Sequence, residues 1–276
     1  MLSSRAPGFS QSASMLLGGT RDLVPATTEW TAQGVSISSG HLEAFFHRDR
    51  VRIPCDILGP FQVPGDVHPR LAEWISGRSG SSPIFWIDGP SIDAEDFENP
   101  LTMLATWVVH LAAKSGFPTL SYFCELRRGE SIRQGNSWTT QSLVALVSAL
   151  LRQMVEWLLP RFDAEIDLSE HRFGILEGTV QSWDVGMTLL EDLGRLMPAG
   201  ITCVIDGLHW VDDETTELYL SEFIGVLRRR GFKILLTTTG RSPCLRDAIP
   251  ISETLQLETL DVCIEITGVG ADIFGT

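Results

Sequence analysis

Short apolar runs alternate with longer segments that carry apolar residues at helical spacing along most of the chain. Four runs have the length and the bounding turn residues of strands buried on both faces. They are SPIFWIDGP at 82–90, TLSYFCEL at 119–126, ITCVID at 201–206 and FKILLTTT at 232–239. Strands that alternate with helices indicate a sheet covered on both sides. We therefore expect an α/β fold with three layers and a mostly parallel central sheet.

The segments between the predicted strands have the spacing of amphipathic or buried helices. A proline stands where the helix after the first strand should begin, at Pro100, and another should end the longest helix, at Pro160. Glycines at 77 and 231 have the position of helix C-caps. The predicted helices cover 67–76, 101–113, 142–159, 186–197 and 217–230.

The pattern divides the chain into three parts. Residues 1–39 are rich in Ser, Gly and Thr with weak periodicity, which predicts a flexible leader. Residues 40–79 predict a lead-in of short helices and Pro/Gly-rich loops, and residues 80–276 predict the α/β core.

Composition and charge narrow the class of protein. With 43% hydrophobic and 20% charged residues and a mean hydropathy of +0.11, the chain is globular in composition. A formal net charge of −14 would repel a phosphate backbone, so we expect no nucleic-acid partner. Five cysteines without a CxxC pair are typical of free thiols in a reducing compartment. No apolar run approaches the length of a membrane span. We therefore expect a protein of the cytoplasm without membrane anchoring.

The order of several short motifs resembles the P-loop NTPase core of the STAND class, and in particular the NACHT type that is abundant in filamentous fungi. That family has a strand and glycine-rich loop, a helix, a YFF-type strand, an LxxLLxQL helix, a Walker B strand ending in Asp, and a sensor strand ending in Arg. The matching positions are Trp86-Ile87, Tyr122-Phe123, 143–154, Val204-Ile205-Asp206, and 235–239 with Arg241. The resemblance implies a P-loop NTPase-like fold. Because members of the family add effector and repeat domains that are not recognisable in this sequence, it also leaves two interpretations open: a fragment of a longer protein, or a reduced paralogue.

The phosphate loop departs from the family pattern. A working loop needs glycines whose N–H groups wrap the phosphates, a lysine for the β/γ-phosphates and a Ser/Thr for Mg²⁺. With Gly89 as the first glycine, Ala94 stands at the last glycine, Glu95 at the lysine and Asp96 at the serine. Gly89 and Ser91 are then the remaining cofactor-binding candidates of a degenerate loop.

The acidic residues of the loop oppose nucleotide binding. Asp93, Glu95 and Asp96 would face the triphosphate, and like charges about 4 Å apart repel by roughly 4 kcal/mol at an effective dielectric of about 20. We therefore expect no cofactor, and Mg-ATP is disfavoured.

Remnants of the other motifs have two interpretations each. Asp206 is either a surviving metal-binding Walker B carboxylate or a turn residue before Gly207. Asp212 or Asp213 would be the outer acid, as in the DDLHWAD variant of the motif. Arg241 matches the sensor arginine or is an ordinary solvated loop residue.

Three functional hypotheses follow. The first is a non-catalytic or weakly nucleotide-binding NACHT/STAND-like module that acts in signalling or regulation through protein partners or self-association. The second is an active ATPase with an atypical loop that uses Asp206 for Mg-ATP. The third, a Rossmann-like fold with an unrelated ligand, lacks a GxGxxG after any strand.

Overall fold

The computed structural model describes residues 28–53, 62–77, 83–91, 99–124, 131–259 and 263–265 of the chain. The strands are β1 Thr28–Thr31, β2 Gln62–Pro64, β3 Ile84–Asp88, β4 Thr119–Phe123, β5 Arg161–Ala164, β6 Thr202–Asp206, β7 Lys233–Thr238, β8 Thr254–Gln256 and β9 Cys263–Glu265. The helices are α1 Ala32–Ser38, α2 Val67–Ser76, α3 Pro100–Lys114, α4 Trp138–Glu156, α5 Glu170–Gly174, α6 Trp183–Leu196, α7 Glu217–Arg229 and α8 Pro243–Ala248.

Five strands form the central sheet in the order β4-β6-β7-β3-β8, and every neighbouring pair is parallel. The predicted α/β class and the four predicted strands are confirmed. The register pairs Trp86 with Leu236 and Val204 with Leu235, and β3, β4 and β6 are buried along their whole length. Burial on both faces explains why these strands are continuous apolar runs, without alternation.

The side chains of β3 divide between two apolar layers. Ile84 and Trp86 pack on the face that carries α4, α6 and α7, while Phe85 and Ile87 pack on the face that carries α2 and α3. Successive side chains of a strand point to opposite faces, so one strand feeds both layers. The sheet is thus the middle layer of three.

The N-terminal segment is anchored on α4. Arg152, buried in α4, donates hydrogen bonds to the carbonyl of Ser36, the hydroxyl of Ser39 and the carboxylate of Glu43. Residues 28–38, the end of the predicted flexible leader, form β1 and α1. The buried guanidinium holds the end of α1 and the turn after it, because it needs these acceptors. Residues 1–27 lie outside the described part of the chain.

Short elements complete the fold. Strand β1 pairs with β5 and β2 pairs with β9, both antiparallel. The predicted lead-in of short helices at 40–79 begins with two 3₁₀ turns, Gly40–Ala44 and Arg48–Arg50. Among the residues that the structure describes, no helix is long and apolar enough to cross a bilayer.

Candidate functional site

The carboxyl ends of the five parallel strands form one edge of the sheet, here called the carboxyl edge. From β3 the chain crosses through α3 to the far strand β4, and from β7 it continues through α8 to β8 on the other side. The two connections leave in opposite directions, which makes the ends of β3 and β7 a topological switch point. Ligands of open α/β sheets bind in the crevice at such a point.

Asp206 ends β6 at this edge, as the strand pattern predicts, and it is buried. Its Oδ2 accepts a hydrogen bond from the Thr102 hydroxyl at 2.7 Å, and its Oδ1 accepts one from the Thr237 hydroxyl. Both oxygens are therefore engaged by threonines from neighbouring elements. A buried carboxylate needs such donors, so the arrangement stabilises the fold whether or not a ligand binds.

Thr102 lies in the first turn of α3, directly after Leu101. The helix begins at Pro100, and the side chain of Asn99 caps it by accepting from the Leu101 amide at 2.8 Å. In the GK[ST] motif a lysine precedes the hydroxyl residue, and that hydroxyl and the Walker B Asp hold the same Mg²⁺. The chain thus brings a threonine to Asp206, but with leucine in the preceding position.

The Leu101 side chain is fully buried and packs on the start of the loop. A Cβ built on Gly89 would lie 2.6 Å from Leu101 Cδ1 and 3.1 Å from the Thr238 carbonyl oxygen, so only glycine fits there. The Gly89 amide donates to that carbonyl at 2.8 Å. The space beside Gly89 is consequently filled by hydrocarbon and backbone.

The alignment of the phosphate loop in the sequence analysis places the lysine and serine positions of the motif at Glu95 and Asp96, before α3 begins. Ala94, Glu95 and Asp96, with Asp93, lie in 92–98, outside the described residues. Their positions relative to Asp206 therefore stay predictions. Leu101 and Thr102 provide a second register, which sequence spacing missed because Gly89 and Thr102 are farther apart than GxxxxGK[ST] allows.

No lysine is placed to replace Leu101. The sequence holds only two, Lys114 and Lys233. Lys114 ends α3 and Lys233 begins β7, so both stand at the opposite, amino-terminal edge of the sheet. The Lys233 ammonium donates to the carbonyl of Ile75 at 2.6 Å.

Asp212 and Asp213, the two alternatives for the outer acid, each lie at the start of a helix. Asp212 Oδ2 accepts from the Ser242 hydroxyl and from the Cys244 amide at 3.1 Å, which fixes the start of α8. Burial raises the pKa of Asp212, although these hydrogen bonds oppose the shift. Asp213 Oδ1 accepts from the amides of Thr215 and Thr216 before α7. Burial alone would raise the pKa of Asp213. The hydrogen bonds that it accepts, of which the one from the Thr215 side chain counts most, outweigh burial and lower the pKa below its usual value.

His209 joins the turn after β6 to the end of β7. Its Nδ1 accepts from the Thr239 amide at 3.4 Å, and its ring lies 5.0 Å from the half-exposed Trp210. Burial lowers the pKa of His209 to about 4, so the ring is neutral at pH 7. A neutral imidazole can accept this backbone hydrogen bond, whereas an imidazolium cannot.

A second buried carboxylate, Asp88, ends β3. It accepts from the Thr238 hydroxyl at 3.2 Å, and Arg246 lies 3.5 Å from its Oδ2. Trp86 donates to the same Thr238 hydroxyl at 3.1 Å. Only its place at a strand end could have indicated Asp88 as a site residue from the sequence alone.

A cleft of about 430 Å³ opens between the ends of β3, β7 and β8. Gly89, Ser91 and Arg241 line it, together with Arg246 and Glu258. Arg241 is exposed and makes no ion pair within the described residues. The structure thus brings Gly89, Ser91 and Arg241 to one cleft. The carboxylates of Asp206, Asp212 and Asp213 accept hydrogen bonds from other residues of the chain.

The described residues contain no cluster of three or more His, Cys, Asp or Glu that could hold a metal ion. The buried cysteines add no nucleophile: burial, followed by the charge of Asp206, raises the pKa of Cys124 well above its usual range, and burial raises that of Cys203 to about 12.

Comparison of the sequence with protein-family models and with curated proteins identifies no family. No protein-family model matches the chain, and no curated protein matches it either.

Proposed function

We propose that this chain is a non-catalytic NACHT/STAND-like module that acts in signalling or regulation through protein contacts, in the cytoplasm. The observation that carries the proposal is the Leu101 side chain, which stands where the phosphate-binding lysine precedes the hydroxyl residue and packs against Gly89. The proposal includes self-association and needs no cofactor.

The residues around Gly89, Leu101 and Asp206, called the carboxyl-edge corner below, have a chemistry that supports this interpretation. Nucleotide phosphates require a cation and open N–H groups, and the Leu101 position supplies hydrocarbon. Both lysines of the chain are at the other edge of the sheet. Asp206 and its two threonines are then a hydrogen-bonded link between α3, β6 and β7.

One observation favours the alternative, an ATPase with an atypical loop. Thr102 and Asp206 lie in hydrogen-bond contact, as a Mg²⁺-binding hydroxyl and carboxylate do in P-loop enzymes. Arg241 in the neighbouring cleft could then supply the positive charge that Leu101 lacks.

ATP turnover in the presence of Mg²⁺ separates the two. We expect no turnover above background for the wild type. Steady hydrolysis that disappears in Asp206→Asn but persists in Asp163→Asn, an exposed carboxylate on β5, would establish the ATPase and overturn the proposal. Circular dichroism of each variant shows that it has folded.

A further inference from the structure

A group of arginines lies at the amino-terminal edge of the sheet, away from the corner just described. Helices α6 and α7 both end there, just before β6 and β7 begin. Arg195 of α6, with Arg229 and Arg230 at the end of α7, surrounds one carboxylate, Glu191. These three arginines and Glu191 are called the α6–α7 arginine cluster below.

The three guanidinium groups share Glu191 loosely. Arg230 Nη2 lies 3.3 Å from Oε1, Arg195 Nη2 lies 3.9 Å from the same oxygen, and Arg229 Nη2 lies 3.6 Å from Oε2. Of these contacts only that of Arg230 is a hydrogen bond. Each guanidinium has five donors, so most donors of the cluster are not used by Glu191.

Packing holds one of the arginines in place. The stem of Arg230 crosses α6 at Gly194, where a Cβ would lie 2.8 Å from Arg230 Cγ. The Nε of Arg230 is buried and has no acceptor among the described residues. Arg195 and Arg229 are more than half exposed, at 56% and 55%. The cluster thus combines a fixed arginine with two that face solvent.

Neighbouring acids do not neutralise the cluster. Asp192 lies 2.7 Å from Arg172 and 3.4 Å from Arg195, and Arg228 turns away to pair with Glu253. Arg172 also interacts with the exposed carboxylate of Asp167. Four cations, the cluster's three arginines with Arg172, therefore stand against three anions, Glu191, Asp192 and Asp167. A local excess of one positive charge stands out in a chain whose formal net charge is −14.

The carboxyl ends of α6 and α7 carry partial negative charge, which attracts nearby cations. This attraction does not engage the guanidinium N–H groups in hydrogen bonds. Those donors match carboxylates in a planar fork. A nucleic acid would meet the same donors, yet the net charge of the chain repels it at longer range. The same repulsion acts on every anion and grows with its length and charge, so charge complementarity favours a short anionic peptide over a long polyanion.

We propose that the α6–α7 arginine cluster binds an acidic peptide segment of a protein partner. The inference rests on the proposed function, because it names the chemistry of a partner for a module that acts through protein contacts. Glu191 already occupies the centre of the cluster as a carboxylate of this chain, and the partner's carboxylates take the unused donors of Arg195 and Arg229.

Fluorescence anisotropy with a labelled octaglutamate peptide at low salt tests the proposal on the full chain. Arg195→Gln/Arg229→Gln should weaken binding about tenfold or more, whereas Arg52→Gln/Arg161→Gln, which removes two exposed arginines elsewhere, should change it less than about twofold. Glu191→Gln should tighten binding several-fold because it removes the competing carboxylate, while Glu214→Gln should not.

The opposite results overturn the proposal. They are no binding of octaglutamate at low salt, equal weakening by both double variants, or no gain in Glu191→Gln. Stronger binding of a phosphopeptide or of single-stranded DNA of equal length, with the same dependence on Arg195 and Arg229, would replace the acidic peptide with that ligand. The assay contains no nucleotide, so its failure is distinct from the discovery of ATP turnover.

Discussion

The carboxyl edge and the amino-terminal edge of the sheet carry charge in different ways. At the carboxyl edge, Asp206 is buried and each of its oxygens accepts from a threonine hydroxyl. At the other edge, three arginines share Glu191 at 3.3 to 3.9 Å, and two of them are exposed. The first group is enclosed and satisfied, and the second has donors to spare.

The difference shows where burial has to be matched by hydrogen bonds. A charge without solvent must find its partners inside the protein, and these partners then join the elements that carry them. An exposed charge keeps water as a partner and contributes little to stability, so it remains free to meet another molecule. The hydrogen bonds of Asp206 thus join elements of the fold, whereas the exposed donors of the arginine cluster are the ones for which we propose a partner.

Removing both threonine donors from Asp206 should have the largest effect on stability. Thr102→Val/Thr237→Val leaves a buried carboxylate short of two hydrogen bonds, and we expect a loss of about 4 kcal/mol in the free energy of unfolding. Urea denaturation measures it. The matched control is Thr188→Val/Thr254→Val, whose hydroxyls bond exposed carbonyls. Equal losses would contradict the contrast between the edges.

Acidification should act through His209 at the carboxyl edge. Its pKa is about 4 in the folded protein, against about 6.5 for an unperturbed histidine. Between these values the unfolded state binds more protons, so stability falls as the pH drops from 6.5 to 4, by roughly 3 kcal/mol from this residue.

The variant His209→Asn isolates that contribution, because its amide oxygen still accepts from the Thr239 amide but does not titrate. We expect the stability of the variant to fall less than that of the wild type over the same pH range. Parallel pH profiles measured by urea denaturation would show that His209 is not buried in its neutral form.

The arginine cluster should show the smallest effect on stability. Glu191→Gln leaves three guanidinium groups without their shared carboxylate, and we expect a loss of at most about 1 kcal/mol at low salt. Because salt screens exposed charges, the loss should shrink at high salt. Thermal melts at two salt concentrations measure it, and a large loss that salt leaves unchanged would mean that Glu191 belongs to the buried structure.

Much of the sheet follows from local sequence. The runs at 84–87, 202–205 and 233–236 are long, apolar and bounded by turn residues, so they identify buried parallel strands. Pro100 and Gly77 marked helix ends correctly, since Pro100 is the first residue of α3 and Gly77 has a φ of 58° at the end of α2. Each of these features depends only on residues that are close together in the sequence.

The remaining features depend on contacts between distant residues. Strand β8 has three residues and becomes a strand by pairing with β3, and β1 exists by pairing with β5. The Thr102–Asp206 hydrogen bond joins residues 104 positions apart. Nothing near Thr102 distinguishes it from any threonine in a first helical turn, so its role became visible only when α3 and β6 were placed together.

The two possible loop registers can be separated by restoring a lysine at each. Leu101→Lys places the ammonium next to Thr102, as in GK[ST], whereas Glu95→Lys places it where the sequence alignment expects it. We expect weak Mg·ATP binding in Leu101→Lys and none in Glu95→Lys, measured by the nucleotide-dependent rise in melting temperature. The reverse order would support the register with Glu95 at the lysine position.

Isothermal titration of Mg·ATP into the wild-type chain tests the central claim most directly. With a leucine directly before Thr102 and packed on Gly89, we predict no saturable heat at millimolar nucleotide. A saturable isotherm in the micromolar range that is lost in Asp206→Asn would contradict the account, because it would show that the corner binds Mg-ATP without a loop lysine.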